Sequence, residues 1–220
     1  MTEPRKGSVA AAVAGVQKHL EAIYAVEAGH DIHRFLVGDA QVNSLVEAGV
    51  LNDGHRGADE QVLLIGSEGG GVELALHLAD RVQAGIEGSP SLQDHCHLTE
   101  GVSHVLLLLY ADQQQRTLRL LDLELQAEVD KAATCLLIAR CTPGSAPSDV
   151  WLRRLFSGMQ LRADLSRIER ARYREAHRLG ARYARYLAEL LGDGVERLLD
   201  ELRRFYRLPA EGKRERARAA

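Results

Sequence analysis

A chain of 220 residues is long enough for one sizeable core, or for a core with a smaller appended unit. Apolar residues make up 45% and charged residues 27%, the balance of a folded soluble protein, and no run reaches the roughly 18 apolar residues that a membrane span requires. The net charge of −3 hides an asymmetry: residues 151–220 hold 18 basic and 10 acidic side chains, leaving 10 and 21 to residues 1–150.

The first predicted element is a helix over 8–26, with Val9, Val13, Val16, Leu20 and Tyr24 on one stripe. "VAAAVAGV" within it resembles a signal segment but is too short and runs on into helical "QKHLEAIY". "IHRFLV" (32–37) reads as a short strand, and Asp39 stands where an N-cap belongs, ahead of a short helix closed by Gly49. Residues 60–78 read as a β-hairpin: Val72, Leu74, Leu76 and Leu78 alternate with Glu73, Ala75 and His77, as a half-buried strand requires. Its "GSEGGG" joins two strands, carries Glu68 where an anion would sit and lacks the Gly-Lys-Ser/Thr ending, so it reads as a hairpin loop rather than a phosphate loop.

From Ser91 onward the chain reads as helical, with helices over 91–111 and 117–140. The linker "CTPGSAPS" (141–148) follows, then a short helix from about Asp149, a long one to about Leu191 and an amphipathic one over 194–207. The expected fold is α+β: a small antiparallel or mixed sheet of about three strands in the first half, then a predominantly helical body. Its expected parts are an acidic α+β domain (1–140), a basic helical segment packing on it (149–207) and a disordered charged tail (208–220).

The stretch "HCHLTEGVSH" (95–104) concentrates three histidines, a cysteine and a glutamate. On a helical wheel Leu98, Val102, Val105 and Leu109 form the core face, while Gln93, His97, Glu100 and His104 share another. In the next helix Glu124 and Glu128 share a face with Leu121, Ala127 and Cys135. Two like charges one turn apart among apolar neighbours call for a cation: Lys131, an arginine of the C-terminal helices, or a metal. If the two helices pair as a hairpin, Glu100, His104, Glu124 and Glu128 form a ligand set suited to Fe, Mn or Zn. The spacing Glu100-x-x-x-His104 departs from the Glu-x-x-His of ferritin-like sites, so no membership follows. Read as structure instead, the same residues make a polar helix face paired with arginine, and Cys135 a small core residue.

A third pattern is the arginine- and tyrosine-rich stretch 167–191. Arg172, Arg182 and Arg185 with Tyr173, Tyr183 and Tyr186 suit single-stranded nucleic acid, through phosphate neutralisation and base stacking. Tyr183, Leu187 and Leu190 also share a stripe, which suits ordinary packing. No Gly-x-Ser-x-Gly, His-Glu-x-x-His or Cys-x-x-Cys occurs. Three unpaired-looking cysteines suggest a reducing, cytoplasmic setting, and the Arg and Ala content points to a GC-rich bacterial source. The sequence therefore reads as a cytoplasmic binding or regulatory protein of unknown ligand, with self-association or a protein partner expected from the amphipathic 194–207 helix. The alternative is a metal-dependent oxidoreductase or hydrolase, and the third reading is nucleic-acid binding.

Overall fold

A computed structural model of the chain describes residues 8–66, 69–157 and 161–220. The fold is α+β, with a three-stranded mixed sheet in the first half and a helical remainder. It divides into two compact units, Met1–His19 with Ala28–Leu106, and Leu20–Glu27 with Leu107–Ala220. The division falls within two helices. No helix among the described residues is long and apolar enough to cross a membrane.

The first unit holds most of α1 (Val9–Tyr24), strand β1 (Leu36–Val37), α2 (Asp39–Glu47), β2 (Glu60–Gly66), β3 (Val72–Leu78), α3 (Asp80–Glu87) and the first part of α4 (Leu92–Gln113). The sheet order is β1-β3-β2, with β1 parallel and β2 antiparallel to β3. Register pairs Leu36 with Leu76, and Glu60 through Gly66 with Leu78 back to Val72. Only Leu36–Val37 of the predicted strand 32–37 is extended, because Ile32–Phe35 tightens into a 3-10 turn. Leu76 and Leu78 are buried, but so is His77 between them, because helix α2 covers that face through Asp39; Val72, at the hairpin end, is 68% exposed. Ser67 and Glu68 of the loop lie outside the described residues.

Asp39 does not cap its own helix. Gly38 precedes α2 as N-cap, and Asp39 Oδ2 accepts from the Asp80 backbone N–H at 3.1 Å, while Asp80 Oδ1 accepts from the Asp39 N–H at 3.1 Å. The two helix N-termini thus exchange carboxylates, each satisfying an orphan donor and a positive dipole end. Helix α3 was not read from the sequence; its start signal, Asp80, is spent on this partner 41 residues away. Ser91 starts α4 as expected, exchanging hydrogen bonds with Asp94 (Ser91 N to Oδ2 2.9 Å, Asp94 N to Ser91 Oγ 3.2 Å). Leu98, Val102 and Val105 are buried on the predicted core face.

The second unit contains the end of α4, α5 (Leu120–Cys141), α6 (Ser148–Phe156), α7 (Arg167–Asp193), α8 (Val195–Arg207) and α9 (Ala210–Ala219). Helix α7 begins with a capping box, Glu169 N to Ser166 Oγ at 3.2 Å and Ser166 N to Glu169 Oε2 at 2.8 Å. Helices α5 and α7 pack together, and Gly180 sets their closest approach: a Cβ there would lie 2.5 Å from Glu128 Cβ. Gly180→Ala is expected to cost about 1–2 kcal/mol in urea unfolding, by forcing the helices apart; an unchanged midpoint would contradict this packing.

The apolar stripe of α8 (Leu198, Leu202, Phe205) is buried inside this unit. Tyr183 of α7 stacks on Phe205 with centroids 4.4 Å apart, so the stripe carries no argument for self-association. Residues 210–219, read from sequence as a disordered tail, form helix α9, with Lys213 and Ala217 buried. Arg216 fastens it to α8 and α7. Its guanidinium donates to both Glu201 oxygens at 2.7 and 2.9 Å and to Tyr186 Oη at 3.0 Å.

Candidate functional site

The residues singled out from sequence distribute as follows. In the first unit, His97 lies 3.0 Å from Gln93 Nε2 and 3.6 Å from Asp59 Oδ2, and His104 Nδ1 lies 3.4 Å from Glu60 Oε1. Glu100 is half-buried one turn before His104 on α4. In the second unit, Glu124 meets Arg172 at 3.5 Å, and Glu128 meets Lys131 at 3.3 Å and His177 at 3.5 Å. Side-chain cations thus lie beside Glu124 and Glu128, one of them the Lys131 named from sequence. The Glu128 hydrogen bond raises the His177 pKa against the opposing effect of burial. Burial pushes the Cys135 thiol up, away from a reactive thiolate.

Of the arginine–tyrosine set, Tyr183 is fully buried and donates to Glu201 Oε1 at 2.8 Å, so it cannot stack on a base. The Tyr186 hydroxyl is taken by Arg216, whose guanidinium also lies over its ring. Arg172 lies over the Tyr173 ring at 5.2 Å, Arg182 Nε donates to the Ala220 carbonyl at 2.8 Å, and Arg185 is exposed. The tyrosines that looked like a stacking platform are therefore mainly packing residues.

A second polar cluster in the first unit surrounds the buried His77. Its Nε2 lies 2.9 Å from Asp39 Oδ1 and its Nδ1 3.2 Å from Gln61 Nε2, while Gln61 also bonds His55 through Nδ1 (2.9 Å) and the backbone carbonyl (2.9 Å). If Gln61 donates to Nδ1, Nε2–H donates to Asp39, and both ring nitrogens are occupied. This network holds α2 against β3.

The arrangement with chemical reach lies in the second unit and was missed by sequence reasoning. Lys213 of α9 is buried and donates from Nζ to Gln126 Oε1 at 2.6 Å. The two Gln126 N–H groups donate to Asp130 Oδ1 at 2.7 Å and to Tyr24 Oη at 3.1 Å, and Tyr24 in turn donates to Asp130. Tyr24, Gln126 and Asp130 are all fully buried. The Lys213 ammonium lies over the rings of Tyr206 (5.1 Å) and Phe205 (5.6 Å), and Tyr206 stacks on Tyr24 at 4.1 Å. Burial lowers the Lys213 pKa to about 8, against the pull of Asp130 and Asp122. Burial also holds the Tyr206 hydroxyl well above its ordinary value, so it stays a donor.

Lys213 lines a cavity of about 320 Å³ together with Asp122, Tyr206, Tyr110, Arg116 and the apolar side chains of Leu107, Leu118 and Leu208. Asp122 Oδ2 caps α5 by accepting from the Arg119 N–H at 3.0 Å. Its Oδ1 and the Tyr206 hydroxyl are buried and meet no hydrogen-bond partner among the described residues. The signal for this site was slight: one lysine in an otherwise charged stretch, four residues after Pro209, whose carbonyl accepts from the Lys213 N–H at 3.0 Å. No family model, curated protein or solved structure matches the chain.

Proposed function

We propose that the chain is a small-molecule binding or regulatory module whose ligand occupies the cavity lined by Asp122, Tyr206 and Lys213. The supporting observation is that lining: a buried lysine, Lys213, shares one cavity with Asp122 and Tyr206, each of which carries a buried polar atom that meets no partner among the described residues. An unpaired buried polar atom costs about 1–3 kcal/mol, so a cavity that collects them suits a molecule that pairs them. Asp122 offers an acceptor, and Tyr206 and Lys213 offer donors. Lys213 and Arg116 are balanced by Asp122 and Asp130, which disfavours a ligand of net charge. The complementary ligand carries a donor and an acceptor on an apolar body, as an aromatic amide does. The three cysteines, all free, fit a reducing, cytoplasmic setting for this module.

Benzamide, at several times its Kd, is expected to raise the melting temperature of the full chain by about 2–4 °C. Benzoate and benzylamine should raise it less, and Lys213→Met should abolish the benzamide effect. No benzamide-dependent shift, or one equal in wild type and Lys213→Met, would overturn the reading.

A further inference from the structure

Lys213 is a buried cation of the second unit, 3% exposed. Its Nζ makes one hydrogen bond, to Gln126, and no ion pair among the described residues. Aromatic rings lie beside it, and its side chain lines a cavity of ligand size. Most buried lysines are held charged by a carboxylate at contact distance; here Nζ donates to the neutral amide oxygen of Gln126, which accepts from an amine as well as from an ammonium, though more weakly.

The geometry points to Lys213 as an imine-forming amine that captures a small aldehyde or ketone in this cavity. The inference rests on the ligand cavity proposed above and adds covalent chemistry to it. The Nζ lone pair forms a C–N bond to the carbonyl carbon while the carbonyl oxygen takes up a proton and the nitrogen loses one. The resulting hydroxyl then leaves, protonated, as water. The nitrogen lone pair closes the C=N bond, and the second N–H proton is released. One amine and one carbonyl give one imine and one water, with no oxidant or reductant. Tyr206, held as a hydroxyl by its burial, lines the same cavity beside the lysine. A lysine whose ammonium is pushed down to about 8 is largely free amine at mildly alkaline pH, whereas an ordinary lysine is almost wholly protonated.

The chain has four lysines, Lys6, Lys18, Lys131 and Lys213, so the test is simple to read. The full-length protein is incubated with benzaldehyde at pH 8, reduced with borohydride and mapped by peptide mass. The expected result is benzylation of Lys213 in excess over the exposed Lys18 by at least about tenfold, beside the amino terminus, whose α-amine ordinarily titrates near 8. Benzamide should protect it, and Lys213→Arg should lose the adduct while keeping the buried charge. Labelling of Lys18, Lys6 or the amino terminus with Lys213 unmodified, while benzamide still stabilises the chain, would overturn imine formation and leave the cavity reading standing. Neither labelling at Lys213 nor stabilisation by benzamide would overturn both.

Discussion

Asp130→Ala is expected to lower stability by about 3–5 kcal/mol in urea unfolding at pH 7. The carboxylate is fully buried and accepts on one oxygen from both Tyr24 and Gln126. Alanine would leave two buried donors without this acceptor, and would remove the negative charge that most favours the Lys213 ammonium. Each lost partner costs the desolvation of the group left behind, which exceeds the net value of the bond itself. Asp130→Asn keeps an acceptor and the shape but not the charge, so its expected loss is smaller, about 1–2 kcal/mol. A loss below about 1 kcal/mol for the alanine variant would show that the Tyr24–Gln126–Asp130 network does not hold α5 to its neighbours.

Between pH 8 and pH 10 the wild type is expected to gain about 2 kcal/mol of stability relative to Lys213→Met. The sign follows from the lowered pKa. Folded Lys213 titrates at about 8, below the 10.5 of an ordinary lysine, so over that interval the unfolded chain binds more protons and stability rises with pH. Below pH 8 the cost of burying the ammonium is fully present, and it is relieved as pH climbs toward 10.5. Buried Tyr24, Tyr183 and Tyr206 act in the opposite direction. Their folded pKa values are raised, so stability falls once unfolded tyrosine ionises near pH 10. Cys135, also raised, subtracts from about pH 9 upward. The difference between wild type and Lys213→Met cancels these terms. Parallel stability–pH curves for the two proteins would contradict a buried, depressed amine.

Periodicity carried the architecture because helix faces and strand alternation are local properties. The stripe Leu198, Leu202, Phe205 marks a buried face, whereas the alternation through Leu76 and Leu78 breaks at His77, which is buried as well. The true extent of the short strand, the exchange of carboxylates between Asp39 and Asp80, and helix α3 were not legible, because each depends on a partner some 40 residues away. Helix α9 was hidden for another reason. Its buried residues are a lysine and an alanine, so by composition it reads as a solvated charge run. The demand for cations over Glu124 and Glu128 was legible from like-charge spacing alone, and Arg172, Lys131 and His177 meet it. The cavity was not, since Asp122, Tyr206 and Lys213 come from three helices with no shared motif.

The most direct measurement is the titration of the lysine ε-groups by NMR in the full-length protein, with lysine carrying the isotope label. Four resonances are expected, assigned through single substitutions. The account predicts that one of them, absent in Lys213→Met, titrates near pH 8 and shifts when benzamide is added. A Lys213 resonance titrating with the others near 10.5, and unmoved by benzamide, would contradict the claim that this lysine is a buried amine in a ligand cavity.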